Sequence, residues 1–150
     1  MILSLTLFTA LSIALLVGTE FAVSAFVNPV LWKLDVSART DATQRFAALL
    51  GKVMPIWYAL DLLLLVIEAF VEHHRRGLPE IVAACGIWIA VILASVLWLV
   101  PINNRMVQLS PGSLSGPALR EHKHWDALHR LRILALCLAF LAFLFGIFSS

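Results

Sequence analysis

Charge is scarce in this chain. Only 13% of its 150 residues are charged and 61% are apolar, against about a quarter and about half in an average soluble domain. That balance excludes a soluble fold of this length, because small domains bury only about two-thirds of their surface and the apolar remainder needs lipid. The formal net charge of +2 is small, and the basic residues sit between apolar runs rather than in a patch, so a nucleic-acid partner is excluded as well. Cysteine is nearly absent. Cys85 and Cys137 both lie in apolar runs, with no CxxC pair and no Cys/His zinc spacing; they read as small packing residues. Alternating strand patterns are missing too. The length allows one domain.

What is present is four long apolar runs. A bilayer core of about 30 Å takes about 20 apolar residues per helix. Spans are predicted at approximately 2–27, 46–71, 80–100 and 131–148. Backbone polar groups in lipid must be satisfied within the segment, so the fold class is all-α, a four-helix transmembrane bundle with polar interfacial connections. The first run has no basic n-region and is longer than a signal-peptide core, so it is expected to be retained.

The connections set the orientation. Lys33, Arg39, Arg45, Lys52, Arg105, Arg120, Lys123, Arg130 and Arg132 make nine of the eleven basic residues, and all fall on one side. That side is expected to be cytoplasmic, in the cell (inner) membrane, with both termini outside. Arg75 and Arg76, beside His73 and His74, run against the rule. Asn28-Pro29 and Pro101 are expected to end the first and third helices. The polar stretch from Trp32 to Thr43 reads as an interfacial helix. The segment from Ser110 to Pro117 reads as flexible. Trp32, Trp57, Trp98 and Trp125 fall near the same boundary, where an aromatic belt accounts for some of them.

Ionisable side chains within spans are costly and normally face the bundle interior or a cavity. Glu20 lies about 12 Å deep at 1.5 Å per residue. Asp61 sits near the middle of the second span. Glu68 lies two turns further and reads as an outer-edge residue reaching toward Arg75 or His73. Asn103, Asn104 and Arg105 follow Pro101 at the boundary. Trp125, His129 and Arg132 are spaced i, i+4, i+7 and share one helical face, with His122 one turn earlier. Trp57 and Asp61 are likewise i, i+4. Convergence of Glu20, Asp61, Arg105, His129 and Arg132 would pair acids with bases. Each also has a structural reading, as an ion pair between helices or a side chain snorkelling to the headgroups.

Val100-Pro101-Ile102-Asn103-Asn104-Arg105, followed by Trp125-Asp126-Ala127-Leu128-His129-Arg130-Leu131-Arg132, resembles the anthrone-oxygenase-like family of small four-helix membrane proteins. Its members show a V-P-x-N segment after the third helix and a W-x-x-x-(H or N)-x-x-R segment opening the fourth. They also carry a glycine-bearing first helix ending in a proline, here Gly18 through Pro29. The resemblance implies oxidation of anthrones to anthraquinones, without metal or flavin. It carries over to Pro101, Asn103, Trp125, His129 and Arg132 alone. On that expectation His129 is the general base. Arg132 or Asn103 stabilises the enolate oxygen, and Trp125 and Trp57 stack a flat aromatic or lipophilic substrate. Glu20 or Asp61 orients His129, and Asn104 and Arg105 border the pocket.

Two other classes compete. One is a non-catalytic binder, transporter fragment or partner subunit. The other is a metal-dependent oxidoreductase, in which Asp126 and His129 at i, i+3 would be ligands; di-iron bundles need two Glu-x-x-His motifs plus two further glutamates, and one Asp-x-x-His is present. Haem would need a second buried histidine at the same level. No cofactor is expected. The expected partners are the bilayer and a lipophilic small molecule. A thin bundle with many apolar faces also leaves room for a second copy, and Gly86 with Ala90 has the small-xxx-small spacing that permits close helix contact.

Overall fold

The computed structural model describes residues 2–74, 76–110, 112–114 and 116–149. Arg75, expected as a partner for Glu68, lies outside them, as do Pro111 and Ser115 of the third connection. The described residues form four long helices and no strand. The first covers Leu3–Leu31, the second Val36–Val71, the third Leu78–Val107 and the fourth Gly116–Phe148, each long and apolar enough to cross a membrane. The bundle is that of a four-span integral membrane protein.

The helices outrun the expected spans, and prolines did not stop them. In the first helix a π-helical turn, Val23–Val27, immediately precedes Pro29, and the N–H of Asn28 bonds the carbonyl of Val23. In the third, a π turn at Ser95–Leu99 precedes Pro101, and the Val100 N–H bonds the Ser95 carbonyl. A proline normally loses one helical bond and presses on the carbonyl four residues back. The extra residue in the π turn shifts that register, so helix resumes at Asn28–Leu31 and Val100–Val107. The stretch read as a separate interfacial helix is instead the start of the second helix. Asp35 caps it, accepting the Ala38 N–H at 3.0 Å, which satisfies a donor that a helix start leaves open. The fourth helix opens at Gly116, well before the apolar span expected from 131.

Short connections make sequence neighbours antiparallel. Each helix packs on the next, and the first closes on the fourth. The outer surface is apolar, with Phe70 73% and Phe145 65% exposed, a surface suited to acyl chains. Inside, the larger apolar cluster fills the half nearer the termini, around Leu16, Leu65, Trp88, Leu136 and Phe143. There the third and fourth helices touch closely. A Cβ on Gly146 would come within 2.7 Å of the Gly77 carbonyl oxygen. A Cβ added at Gly86 would meet nothing within 4 Å, so within the bundle the close approach of the third and fourth helices is made at Gly146 rather than at Gly86. A smaller cluster, Ala47, Ile102, Met106 and Leu114, closes the other half, the basic end of the bundle.

Candidate functional site

Between the two apolar clusters lies a cavity of about 260 Å³. Its walls come from all four helices, and both π turns contribute: Val23 and Val27 from one, Ser95, Val96 and Leu99 from the other. Pro55, inside the second helix, lines it as well. The π turns of two walls and the proline of a third therefore lie at the level of the cavity. Most of the lining is apolar, including Met54, Ile92 and Leu99.

One end of the cavity is charged. Glu20 is almost fully buried and receives donors from two other helices. Tyr58 donates its hydroxyl to Glu20 Oε1 at 2.9 Å, and Arg132 Nη2 donates to Oε2 at 2.6 Å. Arg132 Nη1 reaches Ser95 Oγ at 3.4 Å, and its guanidinium lies 5.6 Å from the Tyr58 ring centre. Isolated, either charge would cost several kcal/mol to bury; paired with short charge-assisted bonds, the cost is largely offset. Tyr58 is itself held from behind, where Trp88 Nε1 donates to its carbonyl at 3.1 Å.

His129 is clamped on both edges. Its Nε2 lies 3.2 Å from the Glu20 backbone oxygen, which can only accept, so Nε2 carries the proton. In the neutral ring Nδ1 then offers a lone pair, and it lies 2.9 Å from Arg132 Nη2, which can only donate. Nδ1 is also 3.1 Å from Glu20 Oε2, a contact that becomes an ion pair when the ring takes a second proton. Trp125 stacks on His129 with centroids 4.7 Å apart and 11° between planes, and His122 stacks on Trp125 at 6.1 Å. Trp32 closes that column against His122, and Arg39 lies over Trp32.

The site residues expected from sequence divide into two groups. Glu20, His129, Arg132 and Trp125 come together as a single cluster, and Asn103 lines the cavity while donating to the Ala47 carbonyl at 3.1 Å. Asn104 is exposed at the cavity's edge. The other three lie elsewhere. Arg105 points outward into a half-exposed ion pair with Glu121 at 3.1 Å. Asp61 accepts from Ser12 Oγ at 2.5 Å, and Trp57 Nε1 donates to the same Ser12 oxygen at 3.0 Å. Neither lines the cavity; they belong to a separate contact between the first two helices. Glu68 is not an outer-edge residue: it is fully buried and accepts from Thr9 and Thr6 at 3.1 and 3.3 Å.

Sequence reasoning missed Tyr58, whose signal was its place three residues before Asp61 on the same helical face. It also missed Thr43 and Asn28. Thr43 lines the cavity with a buried hydroxyl that meets no partner, and His122 lines it with an unpartnered Nε2. Asn28 donates to Asp126 at 2.7 Å, and Asp126 also takes Arg130 at 2.8 Å. Asp126 is thus held by Asn28 and Arg130 while both ring nitrogens of His129 are engaged by Glu20 and Arg132. Among the described residues no group of three or more His, Cys, Asp or Glu gathers in a way that would hold a metal.

No curated protein and no solved structure matches this chain. The family model for anthrone oxygenase matches residues 45–142, which takes in Tyr58, Asn103, Trp125, His129 and Arg132 but leaves Glu20 outside. That match covers most of the sequence and three of the four helices, and the chain belongs to the anthrone oxygenase family.

Proposed function

We propose that this protein binds a flat, lipophilic aromatic molecule in the cavity and oxidises it with molecular oxygen. The observation that carries the reading is a charged cluster, Glu20–Tyr58–His129–Arg132, closing one end of a mostly apolar cavity. A volume of about 260 Å³ is below the roughly 300–1,000 Å³ of drug-sized pockets and suits a small rigid ring system better than a long flexible chain. The Trp125 face offers a stacking surface. The guanidinium offers a donor to an oxygen on which negative charge develops.

The chemistry needs one base and one donor. A CH₂ group between two aryl rings and conjugated to a carbonyl loses a proton to His129 Nδ1. That lone pair is freed when Arg132 moves its hydrogen bond to the substrate oxygen. The electron pair left behind is delocalised as an enolate. Oxygen bonds to the carbon and takes up that pair as a peroxide anion, which recovers the proton from His129. Loss of water then leaves the ketone. One CH₂ and one O₂ give one C=O and one H₂O, with no outside reductant. Glu20 holds Arg132 and Tyr58 in place and fixes the His129 tautomer through its carbonyl. By charge counting, the basic end faces the cytoplasm.

A second reading, binding without turnover, is favoured by one feature: both ring nitrogens of His129 are already engaged. Oxygen uptake by the purified protein with anthrone separates the two. Catalysis predicts uptake that falls by about 10²–10⁴-fold in His129→Ala and persists at reduced rate in Asn103→Ala. Binding without turnover predicts no uptake above the spontaneous rate in any variant, with anthrone still raising the melting temperature.

A further inference from the structure

Seven cavity-lining residues are exposed, and they come from two helices alone. On the second helix they are Phe46 and then Gly51, Pro55 and Ala59, spaced i, i+4, i+8. On the third they are Val96, Val100 and Asn104, spaced the same way. The helices run antiparallel, so the two stripes face each other across a single seam. Every lining residue from the first and fourth helices is buried or half-buried. At the basic end the smaller apolar cluster and buried Leu31, Thr43, Met106 and His122 shut the cavity off.

We infer that the cavity opens sideways, through the seam between the second and third helices, and takes its ligand from the bilayer rather than from the aqueous phase. The depth of the seam supports this. Lys52 marks the headgroup level, and Ala59 lies seven residues further in, about 10 Å at 1.5 Å per residue. The mouth therefore lies inside the interface, deeper than Gly51, and ends among acyl chains. Local chemistry keeps it open. Ala59 and the compact ring of Pro55 present little side chain to the seam. Pro55 has no N–H for the Gly51 carbonyl, and the π turn at Ser95–Leu99 displaces the facing wall. The two helices meet closely at the shallow end, where a Cβ on Gly51 would come within 3.0 Å of Asn103 Nδ2.

This inference rests on the proposed ligand class, and its test keeps the two apart. In lipid vesicles, anthraquinone, a flat tricycle stable to oxygen, is mixed with the protein and quenching of tryptophan fluorescence is followed by stopped flow. Ala59→Phe and Val96→Phe narrow the mouth. Both are expected to slow association and dissociation by about tenfold, a barrier increase of about 1.4 kcal/mol, with Kd little changed. Ile56→Phe, on the outward face of the second helix, is expected to change neither rate. Unaltered rates in both mouth variants overturn the inference. Absence of quenching in wild type would count against the ligand class alone, and the seam is then read by a phosphatidylcholine carrying a diazirine in its acyl chain. Adducts on Pro55, Ala59, Val96 and Val100 uphold a lipid-facing mouth. Adducts on Ile56 and Leu97 with those four protected overturn it, and show the seam to be covered.

Discussion

Two buried polar clusters share this bundle, and they differ in what surrounds them. The Glu20 cluster pairs a carboxylate with a guanidinium, draws on three helices and borders a cavity. The cluster nearer the termini, Asp61 with Ser12 and Glu68 with Thr9 and Thr6, is met by hydroxyl donors from the first helix and borders no part of that cavity. The helices differ in parallel. Around Glu20 two π turns and Pro55 interrupt the regular helical bonding; Asp61 and Glu68 sit on a regular stretch of the second helix, in the half that holds the larger apolar cluster. Burial of an acid within a span is therefore not what distinguishes a site here. A counter-charge together with open volume is.

The largest effect should come from unbalancing the first cluster. Arg132→Met leaves Glu20 buried without its cation and is expected to cost about 3–5 kcal/mol of stability, read as thermal unfolding in detergent. Adding Glu20→Gln should recover more than half of that loss while leaving oxygen uptake abolished. If the single variant unfolds like wild type, the ion pair does not hold the site together. Phe143→Ala sharpens the contrast from the other side. It empties the fully buried centre of the larger core and should cost a similar amount, about 3–5 kcal/mol, yet oxygen uptake per folded molecule should stay at the wild-type level. Tyr58→Phe comes next. It removes one hydrogen bond to a buried carboxylate, worth about 1.5–3 kcal/mol, and should lower turnover more than anthrone affinity, because Glu20 then holds Arg132 less firmly.

One half of the site was legible in the sequence. Trp125, His129 and Arg132 share a face because their spacing follows the helical repeat, and His122 joins them for the same reason; the stacking distances reflect that geometry. Glu20 was legible as a costly charge at the right depth. Asp61 and Trp57 were misplaced because depth along a helix does not say which neighbour a face meets. Their i, i+4 relation was sound, but that face turns to Ser12 on the first helix. Arg105 was misplaced because the third helix continues past Pro101 and carries it outward to Glu121. The helix ends were misread for a related reason: proline reads as a stop, and nothing in the spacing of Asn28-Pro29 or Val100-Pro101 announces the π turn that absorbs it.

The smallest expected effect is the one that tests the division most sharply. Asp61→Asn keeps an acceptor for the Ser12 hydroxyl and puts an amide where Oδ2 is buried with no partner. The cost should be about 1 kcal/mol, set by one unsatisfied buried donor. Oxygen uptake per folded molecule should be unchanged, because Asp61 touches neither the cavity nor His129. Ser12→Ala removes that hydrogen bond itself and should likewise leave oxygen uptake per folded molecule unchanged. A fully folded Asp61→Asn protein without turnover would mean that the two clusters work as one unit through Tyr58, three residues from Asp61 on the same helix. The contrast between a charged site and an inert polar contact would then have to be abandoned.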